Sequence, residues 1–430
     1  MAKKVRLKAN QLASEGVVKS KKIVNAHDPR EFVRGLQQIL ISDSKRIGFL
    51  FGAGTSMSCK RGASKESVIP GVQKMTQIIT DKIGKVNFTR ALKQIKEELS
   101  AADIGFQIEY ILSSIIQKEQ VVGKETLCGL KKEEFESLRK EIEKEIIEIV
   151  SVHKKRELFI KDLLHCDFAL WVSHAARKYP VEIFTTNYDY LFELAFECHT
   201  VNYFDGFVGS FEPFFSPSLV EDIKALPQYQ KLWKLHGSLG WAYDEKSKKI
   251  IRRDQNENTI IVFPNLLKYD NSKKQPYVSF IDRLIRFISA DDSVLVVCGY
   301  SFGDQHINEA ILTALEKTRG SHVIGLYYDE LSEDSPVAEL SSIQPKLSVY
   351  GKRSAVIGGK YGKWKLKTEP SKDDSILIDL YFDEDAAMPS GDPPSTHTWT
   401  GEGIFKLPDF EQFVTFLSSQ AYEHSGFGAR

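Results

Sequence analysis

The sequence predicts an α/β fold: a Rossmann-like, mostly parallel sheet with helices on both faces, plus a helical insertion and a C-terminal extension. Two observations carry this reading. Six short apolar runs recur along the chain, mostly without alternation and bounded by turn residues: IGFLF (Ile47–Phe51), VEIF (Val181–Phe184), KLWKL (Lys231–Leu235), NTIIVF (Asn258–Phe263), SVLVV (Ser293–Val297) and HVIGLYY (His322–Tyr328). Such runs suit strands buried on both sides, which need no polar face. Four of the runs also lead into an unusual polar turn at the C-terminal side: GAGTS (Gly52–Ser56), TTNYD (Thr185–Asp189), LHGS (Leu235–Ser238) and GYSFGDQHIN (Gly299–Asn308). If the strands are parallel, all four turns emerge on one edge of the sheet, where open α/β folds bind ligands.

The elements follow in chain order. Residues 1–30 read as a basic arm, beginning MAKKVRLKANQLASEGVVKSKK. It lacks the apolar core of a secretory signal, and its contact with nucleic acid or a partner subunit is left open against a solubilising tail. Residues 31–350 hold all six runs and read as one ligand-binding domain, interrupted at about 71–178. From Gly71 to Lys178 the chain is rich in Lys, Glu, Ile and Leu and has no proline. Its stretch KKEEFESLRKEIEKEIIEIVSVHKKRELFIKDLL alternates charge and apolar residues at helical spacing, which predicts a helical insertion with a solvated face.

Residues 351–430 read as the C-terminal extension. Gly358-Gly359, Trp364 and SILIDLYF (Ser375–Phe382) suggest further strands, and Asp383–Thr400, with Pro389, Pro393 and Pro394, reads as an exposed loop. LPDFEQFVTFL sets Phe410, Phe413 and Leu417 on one helical face, so this helix should dock back onto the body.

Composition narrows the function classes. Lys plus Arg (58) balance Asp plus Glu (58), so net charge gives no argument for nucleic acid or a membrane surface. No apolar stretch approaches the roughly 20 residues of a membrane span, and a cytoplasmic location is expected. Cys59, Cys128, Cys166, Cys198 and Cys298 are scattered with no C-x-x-C pair. That excludes a four-cysteine zinc ribbon, argues against a disulfide framework and predicts five small buried residues. No metal cluster is legible.

Each polar turn is ambiguous alone. In GAGTS, Gly52 and Gly54 flank Ala53 and let the backbone turn tightly against a pyrophosphate, while Thr55 and Ser56 offer hydroxyls at a helix start. Met57 stands where G-x-G-x-x-G has its third glycine, and the P-loop lysine is missing, which disfavours ATP hydrolysis of that type. A turn without a ligand fits equally well. Asn187 suits a catalytic role or a simple helix cap. His236 suits a catalyst or a hydrogen-bonded core residue, although Gly237 beside it leaves room for a ligand. Gly299 and Ser301 could meet a ribose or phosphate, with Asp304 capping the helix that carries Ile307.

Taken together, Gly52-Ala53-Gly54 with Ser56, then Asn187 and Asp189, then His236-Gly237, then Gly299 and Ser301 resemble the sirtuin family, in the right order. The resemblance implies NAD as substrate and no metal. The Gly52–Ser56 loop would hold the diphosphate, and Gly299 with Ser301 the adenosine end. Asn187 would orient the ribose hydroxyls and an attacking water, His236 would accept a proton, and Asp189 would hold the loop or contact the nicotinamide side. The sequence departs from protein deacetylases: ESVIPGVQKM replaces the aspartate-phenylalanine-arginine segment, Thr186 replaces the family glutamine, and the zinc ribbon is absent.

Those departures look like the sirtuin-like NAD hydrolases of prokaryotic antiphage defence, most similar to the subunit encoded beside a HerA-type ATPase. This implies an abortive-infection NADase releasing nicotinamide and ADP-ribose, a homo-oligomer, and a HerA-type ATPase as partner. The rival readings are a protein deacylase or ADP-ribosyltransferase, and a non-catalytic NAD or ADP-ribose sensor gating a partner.

Overall fold

The computed structural model describes residues 25–58, 67–84, 88–175, 177–253, 259–261, 275–384 and 399–425. Most of the predicted basic arm and of the proline-bearing loop lie outside these residues.

The described chain begins with β1 (Asn25–His27) and α1 (Pro29–Ile41). Asp28 caps α1 by accepting from Arg30 N at 3.0 Å, and Pro29 fits the first turn because no donor is needed there. β2 (Arg46–Phe51) runs into the short α2 (Ala53–Met57). The predicted insertion is built of helices: α3 (Val72–Ile83), α4 (Thr89–Ala101), α5 (Ile108–Val121), α6 (Lys132–Val150), two short 3-10 segments, and α7 (Leu164–His174). In α6, Phe135, Leu138, Ile142, Ile146 and Val150 are buried at helical spacing, leaving most of its charged residues outward as the pattern predicts.

Then come β3 (Glu182–Thr185), α8 (Leu191–Cys198), β4 (Tyr203–Phe204), β5 (Phe207–Val208), β6 (Phe214–Phe215), α9 (Pro217–Glu221), β7 (Gln230–Lys234), β8 (Gly237–Asp244), β9 (Lys249–Arg252) and β10 (Thr259–Ile261). The third quarter continues with α10 (Tyr277–Ile288), β11 (Ser293–Cys298), α11 (Gln305–Lys317), β12 (His322–Leu326), α12 (Pro336–Ile343) and β13 (Leu347–Tyr350). The chain closes with β14 (Ser354–Ile357), β15 (Lys360–Trp364), α13 (Lys372–Ile378), β16 (Phe382–Asp383), β17 (Ile404–Phe405) and α14 (Phe410–Ser425).

The main sheet has ten strands in the order β1-β15-β14-β13-β12-β11-β2-β3-β7-β4. Every pairing from β13 to β4 is parallel, and only β14 runs antiparallel to both neighbours. Strand order reverses between β2 and β11. From β2 the chain proceeds to β3 and β7 on one side, and from β11 to β12 and β13 on the other, which makes the β2/β11 boundary the switch point.

Both faces are covered. Ile47, Phe49 and Phe51 of β2 join Val294, Val296 and Cys298 of β11 in one core with the insertion helices, α7, α8 and α14. Leu50, Leu295 and Val297 point into the other, with Phe280, Leu284 and Phe287 of α10. Phe410 and Phe413 of α14 pack against Phe51 and Phe49 at ring distances of 5.6 and 6.2 Å, so the C-terminal helix does dock back.

Two local expectations need correction. The described part of the NTIIVF run, Thr259–Ile261, pairs antiparallel with β8 in a second, five-stranded sheet of order β10-β8-β9-β6-β5 instead of joining the parallel one. An apolar run signals burial, not which sheet buries it. The first half of SILIDLYF is the end of α13 rather than a strand. Ser371 caps that helix through Asp374 N, and Asp373 and Asp374 occupy its first turn, signals that outweigh the short apolar run. Past residue 350, β14 and β15 pair onto β13 and carry β1 at the far edge of the main sheet.

Candidate functional site

Register places the four polar turns level with one another. Phe51 at the end of β2 pairs with Cys298 of β11 on one side and Thr185 of β3 on the other, and Thr185 pairs with Lys234 of β7. Gly52, Thr186, Leu235 and Gly299 therefore leave the sheet side by side, as the sequence pattern predicts. With strands about 4.8 Å apart, the four ends span roughly 14 Å.

At the switch point the Gly52 and Gly299 loops lie backbone on backbone. Gly54 N donates to Gly299 O at 2.9 Å and Gly52 N to Cys298 O at 3.1 Å. A Cβ on Gly52 would meet Gly299 O at 2.4 Å, and one on Gly299 would meet Thr55 N at 2.7 Å. Gly299 also has φ +67, a region that side chains disfavour. The glycines are thus required by the contact between the loops, whatever ligand lies above them. Phe302, buried in the same loop, has φ +57, a conformation costing a non-glycine roughly 1 kcal/mol or more.

Asn187 ties β3 to this loop. Its Nδ2 faces Gly52 O at 3.0 Å, Thr55 Oγ1 at 3.2 Å and Ser56 Oγ at 2.7 Å. Ser56 Oγ donates onward to Asp189 Oδ2 at 2.7 Å, and Asp189 Oδ1 accepts from Leu191 N at the start of α8. Thr55 Oγ1 donates to Gly52 O at 2.9 Å. All four side chains are buried. The hydroxyls of Thr55 and Ser56 are therefore turned inward to brace the loop, and Asp189 holds it, one of the two roles anticipated. The more exposed surface of the turn is at Ala53 and Gly54.

His236 occupies the crossing between the two sheets. β7 ends at Lys234 in the parallel sheet and β8 begins at Gly237 in the antiparallel one, with φ +90 at that glycine. His236 Nε2 lies 3.1 Å from Asp304 Oδ2. Their strands are separated by β2 and β3, so the two loops converge. Asp304 has a double role: Oδ1 accepts from His306 N as the cap of α11, while Oδ2 faces the imidazole. Tyr300 OH donates to Asp304 O at 3.1 Å and fixes the loop from beneath. Ser301, in the same loop, is exposed at the edge.

Three further groups, Lys234, Glu193 and His153, were not legible as site residues. Lys234 is buried and donates to Asp189 O as well as pairing with Glu193 Oε1 at 2.8 Å. Burial pushes the Glu193 carboxyl up to about 6, with Lys234 opposing. The insertion reaches the site through His153, whose ring lies 4.8 Å from that of Tyr190, and burial then Lys154 and Lys234 hold its pKa below the ordinary value. The signal for Asp304 lay in GYSFGDQHIN, where only a cap was read; Lys234 and His153 meet the site by tertiary packing alone.

The fold and edge define the class: a doubly wound α/β protein with a glycine loop at the switch point and a histidine-carboxylate pair beside it. Residues 181–345 match a family model described as a SIR2-like domain, which supports a sirtuin-like family and NAD-related activity. The match runs from the start of β3 to just beyond α12, so it contains Asn187, Asp189, His236, Gly299, Ser301 and Asp304 and leaves out the Gly52–Ser56 loop. No curated protein matches the chain. Among solved structures it is similar to the crystal structure of cytosolic 5'-nucleotidase IIIB bound to cytidine, at 12% identity over 72% of this chain and 83% of that one. The TM-score of that match is 0.28. Among the described residues no helix is long and apolar enough to cross a membrane.

Proposed function

We propose that the chain is an NAD hydrolase that cleaves the nicotinamide-ribose bond to give nicotinamide and ADP-ribose. The observation that carries the reading is the convergence of Asn187 and the His236–Asp304 pair on the same sheet edge as the glycine loop. In the reaction the C1'–N bond breaks with its electron pair going to nicotinamide, which leaves neutral. The ribose carbon develops oxocarbenium character, and a water oxygen bonds to it while the water proton passes to His236 and then to solvent. Asp304 keeps the imidazole oriented and stabilises it when charged, as a buried carboxylate does in histidine-based catalysis. Asn187 fixes the loop that receives the diphosphate and orients the ribose. Much of the acceleration then comes from positioning and preorganised electrostatics.

The Gly52–Ser56 loop would take the diphosphate through its backbone, and Gly299 with Ser301 the adenosine end. On the sequence resemblance, the physiological role is NAD depletion in antiphage abortive infection, by a homo-oligomer working with a HerA-type ATPase. The inward hydrogen bonds of Asn187 favour one competing reading, a sensor that binds NAD or ADP-ribose without cutting it. His236→Ala and Asn187→Ala, assayed for nicotinamide release with folding checked by far-UV circular dichroism, separate the two. Loss of turnover in both folded variants supports hydrolysis; full activity in either removes that residue from the mechanism.

A further inference from the structure

The five cysteines were expected to be buried apolar residues; Cys59 lies outside the described residues, Cys128 is half-buried, and Cys198 is exposed at the end of α8. Cys166, in the first turn of α7, is buried, and neither is disulfide-bonded. Beside them stands His199, the half-buried residue that ends α8. The two Sγ atoms and a ring nitrogen of His199 all lie within 4.8 Å of one another. The scattered spacing hid this cluster, because α7 and α8 come together only through the fold.

We propose that Cys166, Cys198 and His199 form a zinc site, separate from the nucleotide edge and independent of the NAD reading. Two thiolates and one imidazole are a soft-to-borderline donor set that suits Zn²⁺ and does not suit Mg²⁺ or Ca²⁺. In a tetrahedral site with Zn–S of about 2.3 Å, the sulfurs sit roughly 3.8 Å apart, so the observed separations need to close by no more than about 1 Å. Rotation of the exposed Cys198 side chain supplies such a movement. The backbone beneath is fixed: Thr200 has φ +51, and Val201 N donates to Phe196 O at 2.8 Å, closing the end of α8.

Exposure runs from buried Cys166 through His199 to exposed Cys198, which gives the ion an entry path and leaves a fourth position for water. Binding displaces two thiol protons and changes no oxidation state, so uptake strengthens as pH rises. The consequence is mechanical. The ion pins α7, the last helix of the insertion, to the far end of α8, whose first residue is held by Asp189. Along α8 that is about 12 Å from the Asp189 contact. His165, next to Cys166, already packs on Phe192 of α8 at 4.6 Å, so zinc would lock a contact that exists.

The test uses the full chain, stripped with a chelator and titrated with Co²⁺ or Zn²⁺. One equivalent should bind, with a thiolate-to-cobalt charge-transfer absorption and protection of Cys198 from alkylation. Cys198→Ser and His199→Ala should each weaken binding roughly tenfold or more while the chain stays folded. Cys128→Ser, whose thiol lies near Glu98 instead, should leave binding unchanged. Absence of the charge-transfer band, unchanged affinity in both ligand variants, or a Cys166–Cys198 disulfide in protein prepared with zinc would each overturn the proposal.

Discussion

Replacing Gly299 by alanine should force apart the two loops that meet at the switch point. Two costs add. The residue has φ +67, where a Cβ costs roughly 1–2 kcal/mol. The new Cβ would also lie 2.7 Å from Thr55 N and 2.9 Å from Thr55 Cγ2, and forcing an atom into a closed contact costs about 1–3 kcal/mol. Gly299→Ala should therefore lose roughly 2–5 kcal/mol. Thr55 must move to relieve the contact, and it carries with it an acceptor for Asn187, so NAD binding should weaken as well.

Gly303→Ala is the matched control in the same loop. Its φ is not in the left-handed region, and its Cβ would meet only the Oγ of exposed Ser301 at 3.2 Å, so its cost should stay within about 0.5 kcal/mol. Urea denaturation of parent and both variants, with NAD affinity by calorimetry, reads the difference. Equal stability of the two variants would refute the close-contact reasoning.

Three further outcomes follow from buried groups. Asp304→Asn keeps a good cap on α11 but removes the charge beside His236, so nicotinamide release should fall at least about tenfold with little change in unfolding midpoint. Unchanged turnover would make Asp304 a cap only. Burial holds the His165 imidazole down at about 4 against an ordinary 6.5, and neither ring nitrogen has a hydrogen-bond partner among the described residues. The unfolded chain therefore takes up the proton first, and stability is lost as pH falls from 6.5 towards 4, by about 3 kcal/mol in all. His165→Leu should flatten that part of the pH profile relative to the parent, and an unaltered profile would count against the assignment.

Arg283 makes a bidentate pair with Glu182, with Nη2 to Oε1 at 2.7 Å and Nε to Oε2 at 2.8 Å, beneath Trp233. Arg283→Met strands a buried carboxylate and should cost about 3–5 kcal/mol in urea unfolding, part of which Arg283→Met with Glu182→Gln should restore. Absence of that recovery would mean that lost packing, not the stranded charge, dominates.

The strands and the shared edge were legible because burial on both faces writes itself as continuous apolar runs. Ile47–Phe51 and Ser293–Val297 are the central pair of the sheet and the plainest such runs. Periodicity could not say that Thr259–Ile261 belongs to a different sheet, since register with β8 is set by residues far away in the chain. The Ser375–Ile378 stretch misled because its cap, Ser371, lies upstream of the apolar residues. At the site, residue types led to Asn187, Asp189 and His236. Their partners were hidden because Lys234 and Asp304 reach them across strands, and His153 reaches the neighbouring Tyr190 from the insertion. The inward turn of the Thr55 and Ser56 hydroxyls was likewise invisible, because it depends on where Asn187 sits.

The most direct test is a product balance: the 430-residue chain, alone and with a HerA-type ATPase, incubated with NAD and no acylated peptide, then resolved by chromatography. Equimolar nicotinamide and ADP-ribose are expected. NAD recovered intact despite measurable binding, or nicotinamide released only when an acylated peptide is added, would contradict it.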